Sequence, residues 1–314
     1  MDTPDRLAGT ATRRETLGGL ARVALAATTW GTIPIFVRMV DAHPAVIVFW
    51  RVVFAASVAA VALTLTGQAK ALFALTPRRY AALLAMGCLL ALNWGLYLGA
   101  LQLTTVAVAV LLAYLGPVLV AVLTPVLGSE RFDRRLVLPM ALALAGVVAI
   151  VGPRDLGIRS SREIIGAAMA LASAFTYAGL VLNAKRLLAG IPTGVYMLGE
   201  YAGAAAVLLP AVLTLKGPAT PTDWLGVAAL GVVDTGLTGM LFLSGLRLVR
   251  ADHAAMLTYA EPVSAVAFSA AFLGEPITAW TALGAALVVS SGVAVARMEP
   301  QPAIEAPEAV VEST

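Results

Sequence analysis

The chain has 314 residues, of which 60% are hydrophobic and 12% charged, and its mean hydropathy is +0.90. Soluble domains run at roughly 45–50% apolar and about 25% charged, so this chain has too little charge to clothe a water-facing surface. The net charge of +3 sits between apolar segments, which reads as topology signal and not as a nucleic-acid surface; the single cysteine, Cys88, lies within an apolar run, excludes an intrachain disulfide and reads as packing.

About 20 mostly apolar residues are needed to cross the ~30 Å hydrocarbon layer of a bilayer. The first such segment runs from about Val23 to Val40. Ahead of it, Thr12-Arg13-Arg14-Glu15-Thr16-Leu17 partly matches a twin-arginine export signal, but the chain continues into further spans, so Arg13 and Arg14 read as cytoplasmic anchors. Further segments follow at about Ala45 to Thr66, Tyr80 to Leu101, Val106 to Leu127 and Leu136 to Val151. A second set runs over about Ile164 to Leu182, Val195 to Leu215, Trp224 to Leu246, Ala251 to Leu273 and Thr278 to Ala296. The expected organisation is a tail over 1–22, five spans over 23–151, a connecting loop over 152–163, five spans over 164–296, and a tail over 297–314 whose Glu, Pro and Ala content reads as disordered.

Placing the amino terminus inside puts 15 Lys and Arg on the cytoplasmic side against 5 outside, with Arg51 inside a span. Both termini are therefore expected in the cytoplasm. The segment from Gly152 to Arg162, with Arg154, Arg159 and Arg162, runs against the trend.

An offset of 145 brings Leu98, Ala109, Tyr114, Pro117 and Glu130 onto the identical residues Leu243, Ala254, Tyr259, Pro262 and Glu275. Five spans per half is an odd number, so aligned loops face opposite sides. The charges follow: Gln102 and Thr105 align with Arg247 and Arg250, and Arg131, Arg134 and Arg135 align with Pro276, Ala279 and Trp280. This swap is what two inverted repeats require.

Several elements carry a family resemblance: Trp30-Gly31 in the first span, Pro44 leading to Arg51 in the second, and two paired stretches. These are Leu115-Gly116-Pro117 to Gly128-Ser129-Glu130, and Ala260-Glu261-Pro262 to Gly274-Glu275-Pro276. In them the sequence resembles the drug/metabolite transporter superfamily, in its ten-helix EamA branch, from about Val23 to Ala296. The resemblance implies an all-α basket of ten transmembrane helices around a central cavity lined by spans one, three, four, six, eight and nine. It also implies export or exchange of amino acids, related metabolites or drugs. The second half departs from the pattern, offering Phe175-Thr176 where the first has Trp30-Gly31.

Ionisable groups at membrane depth cost about 2.5–3.5 kcal/mol each on insertion scales, so Arg51, Glu200, Asp234 and Glu261 stand out as candidates for binding or coupling. Arg51 and Glu200 fall at equivalent depths in the two halves and are expected either as a structural ion pair or as the holder of a zwitterion. Asp234, followed by Thr235, Gly236 and Thr238, reads as interior, either coupling protons or satisfied by hydroxyls. Glu261 adjoins Pro262, whose missing N–H frees a carbonyl; Pro34, Pro117 and Pro262 are expected kinks. Trp30, Asn93, Trp94, Tyr97, Tyr114, Tyr177 and Tyr259 are the expected cavity walls, on spans that line it by the resemblance, with Tyr114 and Tyr259 as gate candidates.

Enzyme, nucleotide and metal signatures are missing from the sequence, and His43 and His253 read as loop residues at helix ends. The reading is a secondary transporter or facilitator that exports amino acids or related small metabolites across the cytoplasmic membrane and needs no cofactor. Its partners are a small-molecule substrate and the lipid bilayer, with a homodimer left open. Proton-coupled efflux of cationic drugs is the rival within transport, and a membrane receptor or enzyme the rival outside it.

Overall fold

The structure, a computed structural model, describes residues 13–127, 132–151, 160–274 and 276–298. Residues 1–12 and 299–314 of the tails, most of the connecting loop, and Glu130 and Glu275 of the paired stretches therefore lie outside the described residues, and the rest of the expected first tail is helix. Among those described, no strand occurs and ten helical segments are long and apolar enough to cross a membrane. In lipid every backbone polar group must be satisfied internally, which leaves helices as the form such segments take.

Span one is α1 (Arg13–Trp30) with α2 (Ile33–Val37), and span two is α3 (Pro44–Leu65). A short α4 (Lys70–Phe73) precedes span three, α5 (Pro77–Leu103). Span four is α6 (Val106–Ala113) with α7 (Gly116–Leu127); a 3₁₀ turn, Arg134–Leu136, leads into span five, α8 (Val137–Val151). Spans six and seven are α9 (Ser161–Leu188) and α10 (Thr193–Thr214). Span eight is α11 (Pro221–Ala229), a π-helical stretch Leu230–Leu237, and α12 (Thr238–Leu246). Span nine is α13 (Ala251–Leu257) with α14 (Ala260–Leu273), and span ten is α15 (Ala279–Ala296).

The helices begin where side chains supply the first orphan N–H groups with acceptors. Thr76, Thr105, Ser160 and Thr278 cap α5, α6, α9 and α15, His43 Nδ1 accepts from Ala45 N, and Thr220 and Asp223 form a reciprocal capping box. Pro44, Pro77 and Pro221 stand in first turns, where a missing N–H costs nothing. Several helices outrun the apolar segments: α1 starts at Arg13, and α9 runs from Ser161 through Lys185 and Arg186. Hydropathy marks the hydrocarbon crossing, whereas the backbone stays helical into the interface.

Hydrogen bonds between loops show which ends lie together. Asp133 meets His253, Lys185 reaches the α12–α13 turn, and Arg79 reaches Gly190 at one end. At the other, Lys216 pairs with Asp41 at 2.5 Å, and Arg162 reaches Gln102.

The core is built by α5 against α9, α10 against α3 and α5, and α1 against α12, with α8 and α15 paired. Close approach replaces the hydrophobic effect as the force between helices in lipid. A Cβ on Gly87 would lie 1.9 Å from the Glu200 carbonyl oxygen, and one on Gly31 would lie 2.2 Å from Ser264 Oγ. Side chains such as Leu65, Phe73, Val126, Leu213 and Phe272 point outward instead.

Two expectations are corrected here. Cys88 is exposed on the outer face of α5 and does not pack in the interior. His253 is no loop residue: it lies buried in the first turn of α13, a helix buried along its whole length. Phe175, where the second half departs from the Trp30 of the first, is 50% exposed, because this face of α9 turns away from the other helices. His43 is at a helix end as expected, capping α3.

Candidate substrate site

The expected kinks fall where spans one, four and nine break. Span one interrupts at Gly31-Thr32 before Pro34, span four at Tyr114-Leu115 before Pro117, and span nine at Thr258-Tyr259 before Pro262. Each proline stands in the first turn of the following helix, where its lost donor is least costly. The two tyrosines occupy the breaks themselves and stack on each other, with ring centroids 5.9 Å apart and planes 27° from parallel. The Tyr259 hydroxyl donates to the Tyr114 carbonyl oxygen at 2.5 Å. Tyr177, on α9, reaches the same break: its hydroxyl lies 3.3 Å from Thr258 Oγ1, whose own proton goes to the Ala255 carbonyl.

Span eight contributes through its π-helical stretch. One extra residue per turn rotates Asp234 and Thr235 inward and frees carbonyls that side chains then use. Thr235 Oγ1 donates back to the Leu230 carbonyl at 2.8 Å, an i−5 bond that fits the wider turn. Trp30 Nε1 donates to the Asp234 carbonyl at 2.8 Å, and the Tyr201 hydroxyl donates to the Thr235 carbonyl at 3.0 Å.

Arg51 comes into this region from α3. Its Nε donates to Thr235 Oγ1 at 3.2 Å, and its guanidinium carbon lies 4.7 Å from the centre of the Trp94 ring, a cation–π contact. Asp234 and Glu261 are within electrostatic range of Arg51. The Thr32 hydroxyl donates to Asp234 Oδ1 at 2.8 Å. The Tyr114 hydroxyl faces the Glu261 carboxylate, with Tyr97 and Tyr177 also close enough to interact with it. One guanidinium and two carboxylates are thus gathered at the breaks of spans one, four and nine and the π turn of span eight.

Two candidates lie elsewhere. Glu200 does not pair with Arg51: it is buried against its own helix neighbour, the Tyr196 hydroxyl donating to Oε1 at 2.9 Å, while Arg51 turns toward spans three and eight. Equivalent depth in two halves set no rotation about the helix axes, and it is rotation that decides pairing. Asn93 is spent as helix glue, its Nδ2 donating to the Ser173 carbonyl at 2.7 Å and to Thr176 Oγ1 at 2.9 Å across the α5–α9 interface. Thr32 and Tyr201 were not among the expected site residues. Thr32 carried a signal, a hydroxyl two residues before a proline inside an apolar span; Tyr201 carried none beyond its neighbour Glu200.

A cavity of about 200 Å³ opens beside the cluster, lined by His43, Pro44, Val48, Trp94, Leu98 and Leu208 among others. Of the expected wall residues, Trp94 lines it. Tyr97, Tyr114, Tyr177 and Tyr259 do not line it.

The sequence matches the EamA-like transporter family twice, over residues 17–152 and 164–297, and the chain belongs to that family. It is a multi-pass membrane protein of the transporter class. An uncharacterized transporter of Archaeoglobus fulgidus is 29% identical over 283 residues, covering 90% of this chain and 97% of that protein. The aromatic amino acid exporter YddG of Ancylobacter novellus is 30% identical over 205 residues, covering 64% of this chain and 70% of that protein. A solved crystal structure with 22% identity superposes with a TM-score of 0.78 over 88% of this chain and 96% of its own, a likeness of fold.

Proposed function

We propose that the chain exports amino acids or related small metabolites across the cytoplasmic membrane, binding them at the cluster of Arg51, Asp234 and Glu261 within the wall of Tyr97, Tyr114, Tyr177, Tyr259, Trp30 and Trp94. The observation that carries this reading is the gathering of three ionisable groups at membrane depth where four helices are broken or widened. Charged groups in such places are costly and usually serve a ligand or ion pathway. The similarity to an aromatic amino acid exporter supports the substrate class.

Alternating access by two inverted repeats is the proposed mechanism, with both termini in the cytoplasm. Two observations support it: the family matches each half separately, and Tyr114 and Tyr259, which occupy equivalent positions 145 residues apart, touch each other. A residue and its symmetry mate meet only when both lie near a twofold axis.

Efflux from proteoliposomes over a panel of neutral, zwitterionic and cationic solutes tests the function. Export of zwitterions is expected, and selective export of cations would refute it. Two carboxylates against one guanidinium favour a second reading, proton-coupled efflux of cations. Dissipating a proton gradient in inverted vesicles separates the two, since that reading requires transport to collapse with it.

A further inference from the structure

Opposite charges buried near one another ordinarily collapse into an ion pair, because attraction is strong where the dielectric is low. Arg51 and Asp234 lie within electrostatic range, and Arg51 bonds the hydroxyl of Thr235, the residue next to Asp234, yet among the described residues no ion pair joins them. Each is held instead by neutral partners on separate elements. Trp94 of α5 and Thr235 of the π stretch take the guanidinium face and Nε. Thr32, at the break in span one, takes Asp234 Oδ1, and Trp30 anchors the Asp234 backbone. Thr235 gives its only proton to Leu230, which leaves its oxygen free to accept from Arg51.

What remains on each side is complementary. Asp234 Oδ2 is buried without a hydrogen-bond partner, on a residue 1% exposed. The terminal nitrogens of Arg51 have no acceptor among the described residues, since its hydrogen bond goes through Nε. A buried carboxylate oxygen lacking a donor and a guanidinium fork lacking an acceptor are the hydrogen-bonding complements of one cationic and one anionic group.

We infer that Arg51 and Asp234 form a receptor for the head group of an α-amino acid, the substrate carboxylate bound by the terminal guanidinium nitrogens and the substrate ammonium by Asp234 Oδ2. This rests on the export reading and specifies how its site selects. Glu261, faced by the Tyr114 hydroxyl, is the second acceptor for the ammonium, and the substrate side chain lies toward Tyr97, Tyr114 and Tyr177. Holding the pair apart with neutral partners is preorganisation: the two charges are already kept from collapsing onto each other before a ligand arrives. Selectivity follows from what each truncated ligand leaves unpaired.

The test uses the full-length protein in nanodiscs and three ligands that differ only in the head group: L-phenylalanine, phenethylamine and 3-phenylpropionate. The same triple is built on leucine with isoamylamine and 4-methylpentanoate. The wild-type protein is expected to bind at least one amino acid about tenfold more tightly than either of its analogues. Arg51→Gln should erase the preference over the amine and keep that over the acid, while Asp234→Asn should do the converse. This crossed pattern is one that a purely structural role for either residue does not produce. Where a variant fails to fold, the wild-type comparison still decides, because equal binding of amino acid and amine, or of amino acid and acid, overturns the inference. Export of an amino acid with a flat head-group series overturns this inference alone; binding and export of cations only, with no amino acid bound, overturns it together with the export reading.

Discussion

The Tyr259 hydroxyl donates to the main-chain carbonyl of Tyr114, so two residues that look equivalent in sequence do different work. Among the described residues no α7 N–H reaches that carbonyl, although Leu119 N reaches Leu115 O at 2.9 Å. Tyr259→Phe should therefore strand a partly buried acceptor and destabilise the fold by about 1 kcal/mol. Tyr114→Phe keeps the carbonyl and its donor, spares the fold, and removes the hydroxyl that faces Glu261. Thermal unfolding in detergent beside proteoliposome efflux checks the asymmetry, and equal effects of both changes on both readouts would contradict it.

Arg51 and Glu200 should behave independently. A double-mutant cycle with Ala at each site is expected to show a coupling below about 0.5 kcal/mol in unfolding, because neither touches the other. Recovery of stability in the double variant would mean that they meet in another state of the protein.

Asn93→Ala should loosen the α5–α9 interface by about 1 kcal/mol and leave the ranking of substrates unchanged, since its amide serves Ser173 and Thr176. The check is thermal unfolding together with the solute panel. An altered ranking would return Asn93 to the substrate path.

Asp133, between spans four and five, gives a pH dependence. It is 3% exposed, and burial alone would push its carboxyl up; hydrogen bonds from the Arg135 side chain and backbone, with His253 adding another, outweigh that and bring it down to about 2. A carboxylate held below its ordinary value of about 4 contributes stability that is present above that value and is lost as pH falls toward 2. Unfolding midpoints between about pH 5 and pH 2 should fall less steeply in Asp133→Asn than in the wild type. Parallel curves would remove Asp133 as a source of acid sensitivity.

Reporter fusions test orientation. One after Lys70 and one after Met298 are expected to read cytoplasmic, and one after Gly217 external. An external reading at Lys70 would invert the assignment.

How far the sequence reaches can be judged residue by residue. The ten spans were legible because lipid forces continuous apolar runs, and Arg51, Asp234 and Glu261 were legible because ionisable groups in such runs are costly. The breaks were legible through Pro34, Pro117 and Pro262. What escaped depends on rotation of one helix against another: that Glu200 turns to Tyr196, that Asn93 faces α9, and that His253 is buried against Asp133. The π stretch escaped as well. It shifts side chains by a fraction of a turn, and its trace in the sequence is a threonine whose hydroxyl happens to reach back five residues.

Lys185 donates from Nζ to the carbonyls of Leu246, Arg247 and Val249, at 2.7, 3.1 and 2.6 Å. An ammonium with each of its protons committed is a poor nucleophile, since acylation needs the free amine. The remaining lysines of the chain, Lys70 and Lys216, are exposed to reagent, Lys216 in a surface pair with Asp41. The chain thus carries a chemical clock for the closure of its α12–α13 end: the rate at which Lys185 is acylated, relative to the other two, reports how often that turn lets go of α9.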